Sequence, residues 1–138
     1  MTTRIVINEN QLAQFLTGPQ SEAVRLVRET QRRTLNAARK RAPVDTGHLR
    51  LHHRQSNVSV EGGKVRGSVE ATPDYAAAVH EGYGPRIIKA KNVKFMTWKS
   101  GGERIFARSV RHPGAKARPW LLNAAKAEAG RMGFTLQV

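Results

Sequence analysis

The feature that most constrains the fold is a helical period that runs from Pro19 to Ala42 and ends against Pro43. Val24, Val27, Gln31, Leu35, Ala38 and Ala42 recur at steps of three and four, which places them on one helix face, and Pro19 suits the first helical position. Pro43 lacks an N–H and clashes with the preceding turn, so the chain must redirect there. Arg25, Arg28, Arg32, Asn36 and Arg39 make a second stripe at the same spacing, roughly 110° around the helix from the apolar one. Such a stripe is either a solvated face, softened by Glu22 and Glu29, or a surface for a polyanionic partner.

Around this helix the pattern is mixed. Ahead of it, Arg4 to Ile7 reads as a short strand, and Asn8 to Gln14 with Phe15-Leu16 as an amphipathic helix stopped by Gly18. After Pro43, the trio Asp45-Thr46-Gly47 supplies a turn in which the Asp carboxylate accepts backbone N–H groups, aiming Leu49 into a strand. Strands from Leu49 to Glu61 and from Lys64 to Ala71 flank Gly62-Gly63, a two-residue hairpin turn that sets Glu61 opposite Lys64 and Val60 opposite Val65. Asp74 is placed to cap a short helix from Tyr75 to Glu81 that Gly82 ends, with Tyr75, Ala78 and Val79 turned inward.

A second, longer hairpin follows, built from Arg86 to Lys94, Phe95 to Trp98, the Ser100-Gly101-Gly102 turn and Arg104 to Ala107. This arm is basic: Arg86, Lys89, Lys91, Lys94, Lys99, Arg104, Arg108 and Arg111 face a single acid, Glu103. Charge on exposed strands also blocks edge-to-edge aggregation. Pro119 opens a last helix reaching about Gly130 that buries Trp120, Leu121 and Ala124, and Phe134 to Val138 returns as a short strand.

Length and charge narrow the function. A chain of 138 residues with 39% hydrophobic residues fits one domain with one modest core, over residues 1–138. The 24 Lys and Arg against 10 Asp and Glu leave a formal charge of +14, which favours nucleic acid or an acidic protein surface as neighbour. No cysteine is present, so disulfides and thiolate metal sites are excluded. No apolar run approaches the ~20 residues of a membrane helix, and no signal-peptide core follows Met1-Thr2-Thr3-Arg4, so the expectation is a soluble, non-secreted chain without membrane contact.

The residues that could carry chemistry have simpler roles. His48 and His52 are four apart and His53 follows, but on a strand His52 and His53 point to opposite faces, and no acidic cluster completes a tetrahedral set, so no metal is expected. Asp45 and Asp74 sit at turns, while Glu81 could pair with Arg50 or Arg118. Neither Gly-x-Ser-x-Gly nor a phosphate-binding Gly loop with Lys-Ser/Thr is present, so neither catalysis nor a cofactor is expected. The common nucleic-acid-reading modules are missing and aromatic content is only 6%, so DNA contact should be independent of sequence and of base stacking.

Three ordered blocks carry a family resemblance: Ala42-Pro43-Val44-Asp45-Thr46-Gly47-His48-Leu49-Arg50, Tyr75-Ala76-Ala77-Ala78-Val79-His80-Glu81-Gly82, and Ala117-Arg118-Pro119-Trp120-Leu121-Leu122-Asn123-Ala124-Ala125. In this order they resemble the neck, or tail-completion, family of long-tailed phages, related to the lambda tail protein Z, over about Ala37 to Ala127. Ile88-Lys89-Ala90-Lys91-Asn92 with Phe95, and Phe106 to Gly114, look like the variable arm of one branch. The chain departs at Gly82-Tyr83-Gly84, where relatives commonly carry Gly-Thr. Asp-Thr-Gly also occurs in aspartic proteases, but there it needs a wholly β setting and a partner loop.

The resemblance implies an α+β fold, a long helix packed on an antiparallel sheet, completed here by the basic hairpin arm and the C-terminal helix. It implies a structural, non-enzymatic virion protein, assembled in the host bacterial cytoplasm into a ring around the DNA channel, a hexamer before a dodecamer, with no metal or cofactor. Its neighbours would be the head connector and the tail-terminator or tail-tube proteins. Pro43, Asp45, Gly47, Tyr75, Glu81, Gly82, Arg118, Pro119 and Trp120 form the structural signature. Arg25, Arg28, Arg32 and Arg39 are candidates to face the channel DNA without reading sequence, and Lys89, Lys91, Lys94, Phe95, Arg104, Arg108 and Arg111 to form the subunit or ring interface. Two other functions compete: a free-standing, sequence-neutral double-stranded DNA-binding protein, and a small hydrolase or toxin-like nuclease using Asp45, His80 and Glu81.

Overall fold

The computed structural model describes residue 16 and residues 18–133. The strands expected at residues 4–7 and 134–138 and the helix expected at residues 8–14 lie outside the described residues. The chain divides into two compact units, one of Met1–Ala76 with Pro119–Val138 and one of Ala77–Arg118.

In the first unit the long helix, α1, spans Glu22–Arg41. It starts later than Pro19 because Ser21 caps it, its hydroxyl accepting the Val24 N–H at 3.2 Å. Glu22 in the first turn and Arg39, Lys40 and Arg41 in the last offset the helix dipole. The apolar stripe faces inward: Val24, Gln31, Ala38 and Ala42 are buried, Val27 and Leu35 half-buried, and Thr34 joins them.

Beyond Pro43 the structure corrects the expected strand at Leu49. His48–Leu51 form one helical turn, α2, entered through Gly47 at φ 84, and the Leu51 amide closes onto the Gly47 carbonyl at 3.1 Å. A strand would have put Leu49 and Leu51 on one face. The turn separates them, burying Leu49 while Leu51 stays exposed. Asp45 makes no side-chain hydrogen bond among the described residues; the Thr46 hydroxyl approaches the His48 N–H instead, at 3.5 Å.

The two strands expected on either side of Gly62-Gly63 are each broken in two: β1 His53–Gln55, β2 Ser59–Glu61, β3 Lys64–Arg66 and β4 Val69–Ala71. β2 pairs with β3 in the expected register, Glu61 opposite Lys64 and Val60 opposite Val65, through glycines at φ 56 and 72. β1 pairs with β4, Gln55 opposite Val69. Between the pairs Ser56-Asn57-Val58 lies across from Gly67-Ser68, so one strand carries an extra residue, a bulge. Gln31 holds this bulge from α1, its Nε2 donating to the Ser56 carbonyl at 3.2 Å and the Ser68 carbonyl at 3.0 Å. A Cβ on Gly67 would stand 2.5 Å from the Gln31 amide carbon, so a larger residue there would displace the Gln31 side chain from the bulge.

The last helix, which runs Trp120–Arg131, is capped by Pro119. It packs along α1, which also covers β1, β3 and β4. This is the α+β arrangement of a long helix on antiparallel strands. Ala38 and Ala124, both at 0% exposure, allow the helices to approach closely, and Trp120 fills the core at 3%. Its indole Nε1 donates to His53 Nε2 at 2.9 Å, tying the last helix to β1.

The short helix expected from Tyr75 begins at Ala76, so in chain order α3 is Ala76–Glu81 and the Trp120 helix is α4. The Ala76 N–H is taken by the Pro73 carbonyl at 2.9 Å, and no side-chain hydrogen bond of Asp74 is among those described. Ala76 turns inward in place of Tyr75, which is exposed and whose hydroxyl meets His48 Nδ1 at 3.1 Å. Ala78 and Val79 are half-buried.

The second unit holds the expected arm. β5 Arg86–Lys89 pairs with β8 Ser109–His112, and β6 Met96–Ser100 pairs with β7 Glu103–Ala107 across the Gly101-Gly102 turn. At its base Tyr83 and Ala115 exchange N–H···O bonds of 3.0 and 2.9 Å. Gly82 makes this closure possible: at φ +73 it lies so near the opposing chain that a Cβ would come within 2.6 Å of the Ala115 oxygen and the Ala117 nitrogen.

Candidate assembly arm and basic helix face

No residue from 77 to 118 is buried. The arm is a two-stranded ribbon, which buries too little on its own to be more than marginally stable. It nevertheless carries core-type residues: Ile87 is 64%, Val93 62% and Phe106 61% exposed, with Phe95, Trp98 and Ile105 also on the surface.

Cross-strand register sorts these residues. Residues opposite one another share a face, so Met96, Ala107, Trp98 and Ile105 line one side of the β6–β7 hairpin, and Thr97, Phe106, Lys99 and Arg104 the other. The first side is apolar up to the tip, where Ser100 stands opposite Glu103; the other mixes aromatic and cation. Between the two strand pairs, residues 90–95 stand across from Arg108 alone, which pushes Lys91 and Lys94 out in a loop. Phe95 is held there by cations, with the Arg108 guanidinium 5.3 Å and the Lys94 ammonium 6.0 Å from its ring centre.

The seven residues assigned to an interface from sequence are thus all on the arm, and all seven are exposed. The sequence reading omitted Ile87, Trp98, Ile105 and Phe106. Their signal was present as β-branched and aromatic residues, Ile87-Ile88, Trp98 and Ile105-Phe106, within the strands, a composition that ordinarily predicts a core.

The helix stripe is less uniform than its spacing suggests. Arg32 forms a forked pair with Glu29 at 2.9 and 3.1 Å, and Arg33 adds a bond at 2.8 Å. Hydrogen bonds from Arg32 and then Arg33 hold the Glu29 carboxyl down at about 2. Arg25 faces Glu22 at 3.9 Å. Arg28 is exposed, and Arg39 turns toward the first strand, donating to the His53 carbonyl at 3.1 Å. Charge on this helix gathers instead around its last turns, where Lys40 and Arg41 join Arg39.

The histidines and acids do not assemble a reaction centre. His48 and His52 stack with ring centres 3.8 Å apart and planes 22° from parallel. Stacked rings direct their lone pairs side by side, not toward one ion. Among the described residues no group of three or more His, Cys, Asp or Glu is placed to hold a metal. Asp45 belongs to the first unit, His80 and Glu81 to the second. Glu81 is in none of the described ion pairs, so the pairing expected with Arg118 is not made; the Arg118 amide instead donates to the Val79 and His80 carbonyls, each at 3.1 Å. No helix among the described residues is long and apolar enough to cross a membrane.

No family model, no curated protein and no solved structure matches this chain.

Proposed function

We propose that this chain is a structural protein of the phage neck, one copy of a ring, a hexamer in the first instance, that joins the head connector to the tail tube around the DNA channel. The observation that carries this reading is the arm: a basic ribbon without a buried residue and with aromatic and aliphatic side chains on its surface. Such a surface suits assembly, where a neighbour covers the apolar residues and the cations select an acidic one. The three ordered sequence blocks support the same assignment, and Gly82, at the arm's base, and Trp120, in the first unit's core, each have a structural role that needs no catalysis.

In a phage whose gene for this chain is interrupted, electron microscopy of lysates should show filled heads separate from finished tails, with complementation restoring joined particles. Normal joined virions without the protein would contradict the proposal.

A further inference from the structure

The end of α1 bears a groove that the arm-based reading does not use. Asn36, Arg39, Lys40, Arg50 and Leu51 line a depression of about 440 Å³. A second of about 350 Å³ is lined by Arg33, Asn36, Ala37, Lys40, Arg41, Glu128 and Arg131, so the two adjoin through Asn36 and Lys40. All of these residues belong to the first unit.

Six cations therefore meet one carboxylate, and that one, Glu128, already pairs with Arg131 at 3.4 Å. Arg33 is engaged by Glu29. Arg39, Lys40, Arg41 and Arg50 form no ion pair among the described residues, and Arg39 Nε is buried without a hydrogen-bond partner. Gathering unpaired cations raises their mutual repulsion, and a buried guanidinium N–H without an acceptor costs more. An anion that enters the groove offsets the repulsion among the cations that line it.

We infer that this groove binds phosphate, and that the phosphate belongs to the backbone of double-stranded DNA. A carboxylate has two oxygens for the Arg, Lys and Asn donors, whereas a phosphodiester chain offers successive anionic groups to two adjoining depressions. The lining has no aromatic ring to stack on, so it has nothing to read unpaired bases. Binding is through charge, independent of sequence. It stands on the groove alone and does not require the neck assignment.

Fluorescence anisotropy with a short mixed-sequence duplex tests this on the full chain. The double variant Lys40→Gln, Arg50→Gln removes two exposed side chains that make no described side-chain hydrogen bond or ion pair, and should preserve the melting transition. It should weaken duplex binding about tenfold or more at low salt and reduce the slope of log K against log salt by about 1 to 2. Lys64→Gln with Lys99→Gln, which removes equal charge at the two hairpin tips, should change binding less than about twofold. Equal loss in both variants, or no duplex binding by the native chain, overturns the inference. Titration with inorganic phosphate separates the source: phosphate binding that depends on Lys40 and Arg50, without duplex binding, overturns the nucleic-acid assignment.

Discussion

The two tryptophans sit in opposite worlds. Trp120, in the helix-and-hairpin unit, is 3% exposed and hydrogen-bonded to a buried histidine; Trp98, in the arm, is 38% exposed on a ribbon where nothing is buried. The first unit stabilises itself by covering α1 with a second helix and a bulged hairpin. The arm has the strand pairing of a folded element without a core, so its apolar residues are available to something else. A chain built this way keeps its buried core in one unit and its exposed apolar residues in the other.

The sharpest way to break that contrast is to truncate both tryptophans. Trp120→Ala should cost about 3–5 kcal/mol in denaturant unfolding of the free chain, as expected for deleting a large buried aromatic. Trp98→Ala should stay within about 0.5 kcal/mol in the same assay and appear only in assembly. Comparable losses would mean that the arm has a core of its own.

Gly82→Ala sharpens the comparison from the arm's side. Left-handed backbone and the close Ala115 and Ala117 atoms should make it cost about 1–3 kcal/mol, seen as faster exchange of the Tyr83 and Ala115 amides that close the arm's base, with α1 unchanged. Gly84→Ala, with open space around it, should be tolerated.

A smaller, pH-dependent effect belongs to the core alone. Burial, with the Arg39 charge adding to it, pushes the His53 pKa below its ordinary 6.5, against the hydrogen bond its ring makes to the Arg50 carbonyl. With Nδ1 directed at that carbonyl, neutral His53 leaves Nε2 free to accept from Trp120; protonation sets two donors face to face. The folded state therefore resists a proton that the unfolded chain takes up near 6.5. Stability is complete above that value and falls as pH drops through it toward the folded pKa. Melting temperature should decline from pH 7.5 to 5.5 in the native chain and decline less in His53→Gln. An equal decline in both would assign the acid sensitivity elsewhere.

Least visible in stability, and large in function, is charge on the arm loop. Lys89→Glu with Lys91→Glu and Lys94→Glu should leave the melting transition of the free chain nearly unchanged while abolishing head–tail joining in complementation. Intact joining would remove the arm from the interface.

Much of the fold was legible because its determinants are local. The i, i+3, i+4 pattern located α1, Gly62-Gly63 fixed one hairpin register, Ser100-Gly101-Gly102 located the turn of a second hairpin, and Pro119 marked the last helix. What escaped depends on distant partners. Leu49 winds into a helical turn that buries it and leaves Leu51 exposed, and the bulge at Ser56 is held by Gln31 reaching across from α1. Tyr75 reads as a core residue but ends outside, beside His48. The groove was invisible for a related reason: Arg50 reaches the last turns of α1 only because the chain reverses at Pro43 and Gly47, so no spacing in sequence connects them.

Hydrogen–deuterium exchange of the free chain and of purified phage particles that carry it tests the central claim most directly. In the free chain α1 and α4 should be strongly protected while the amides of β5 to β8 exchange quickly, and in the particle the arm should become protected with little change in the helices. Strong arm protection in the free chain, or an arm that still exchanges quickly in the particle, would contradict an element whose burial is completed by a partner.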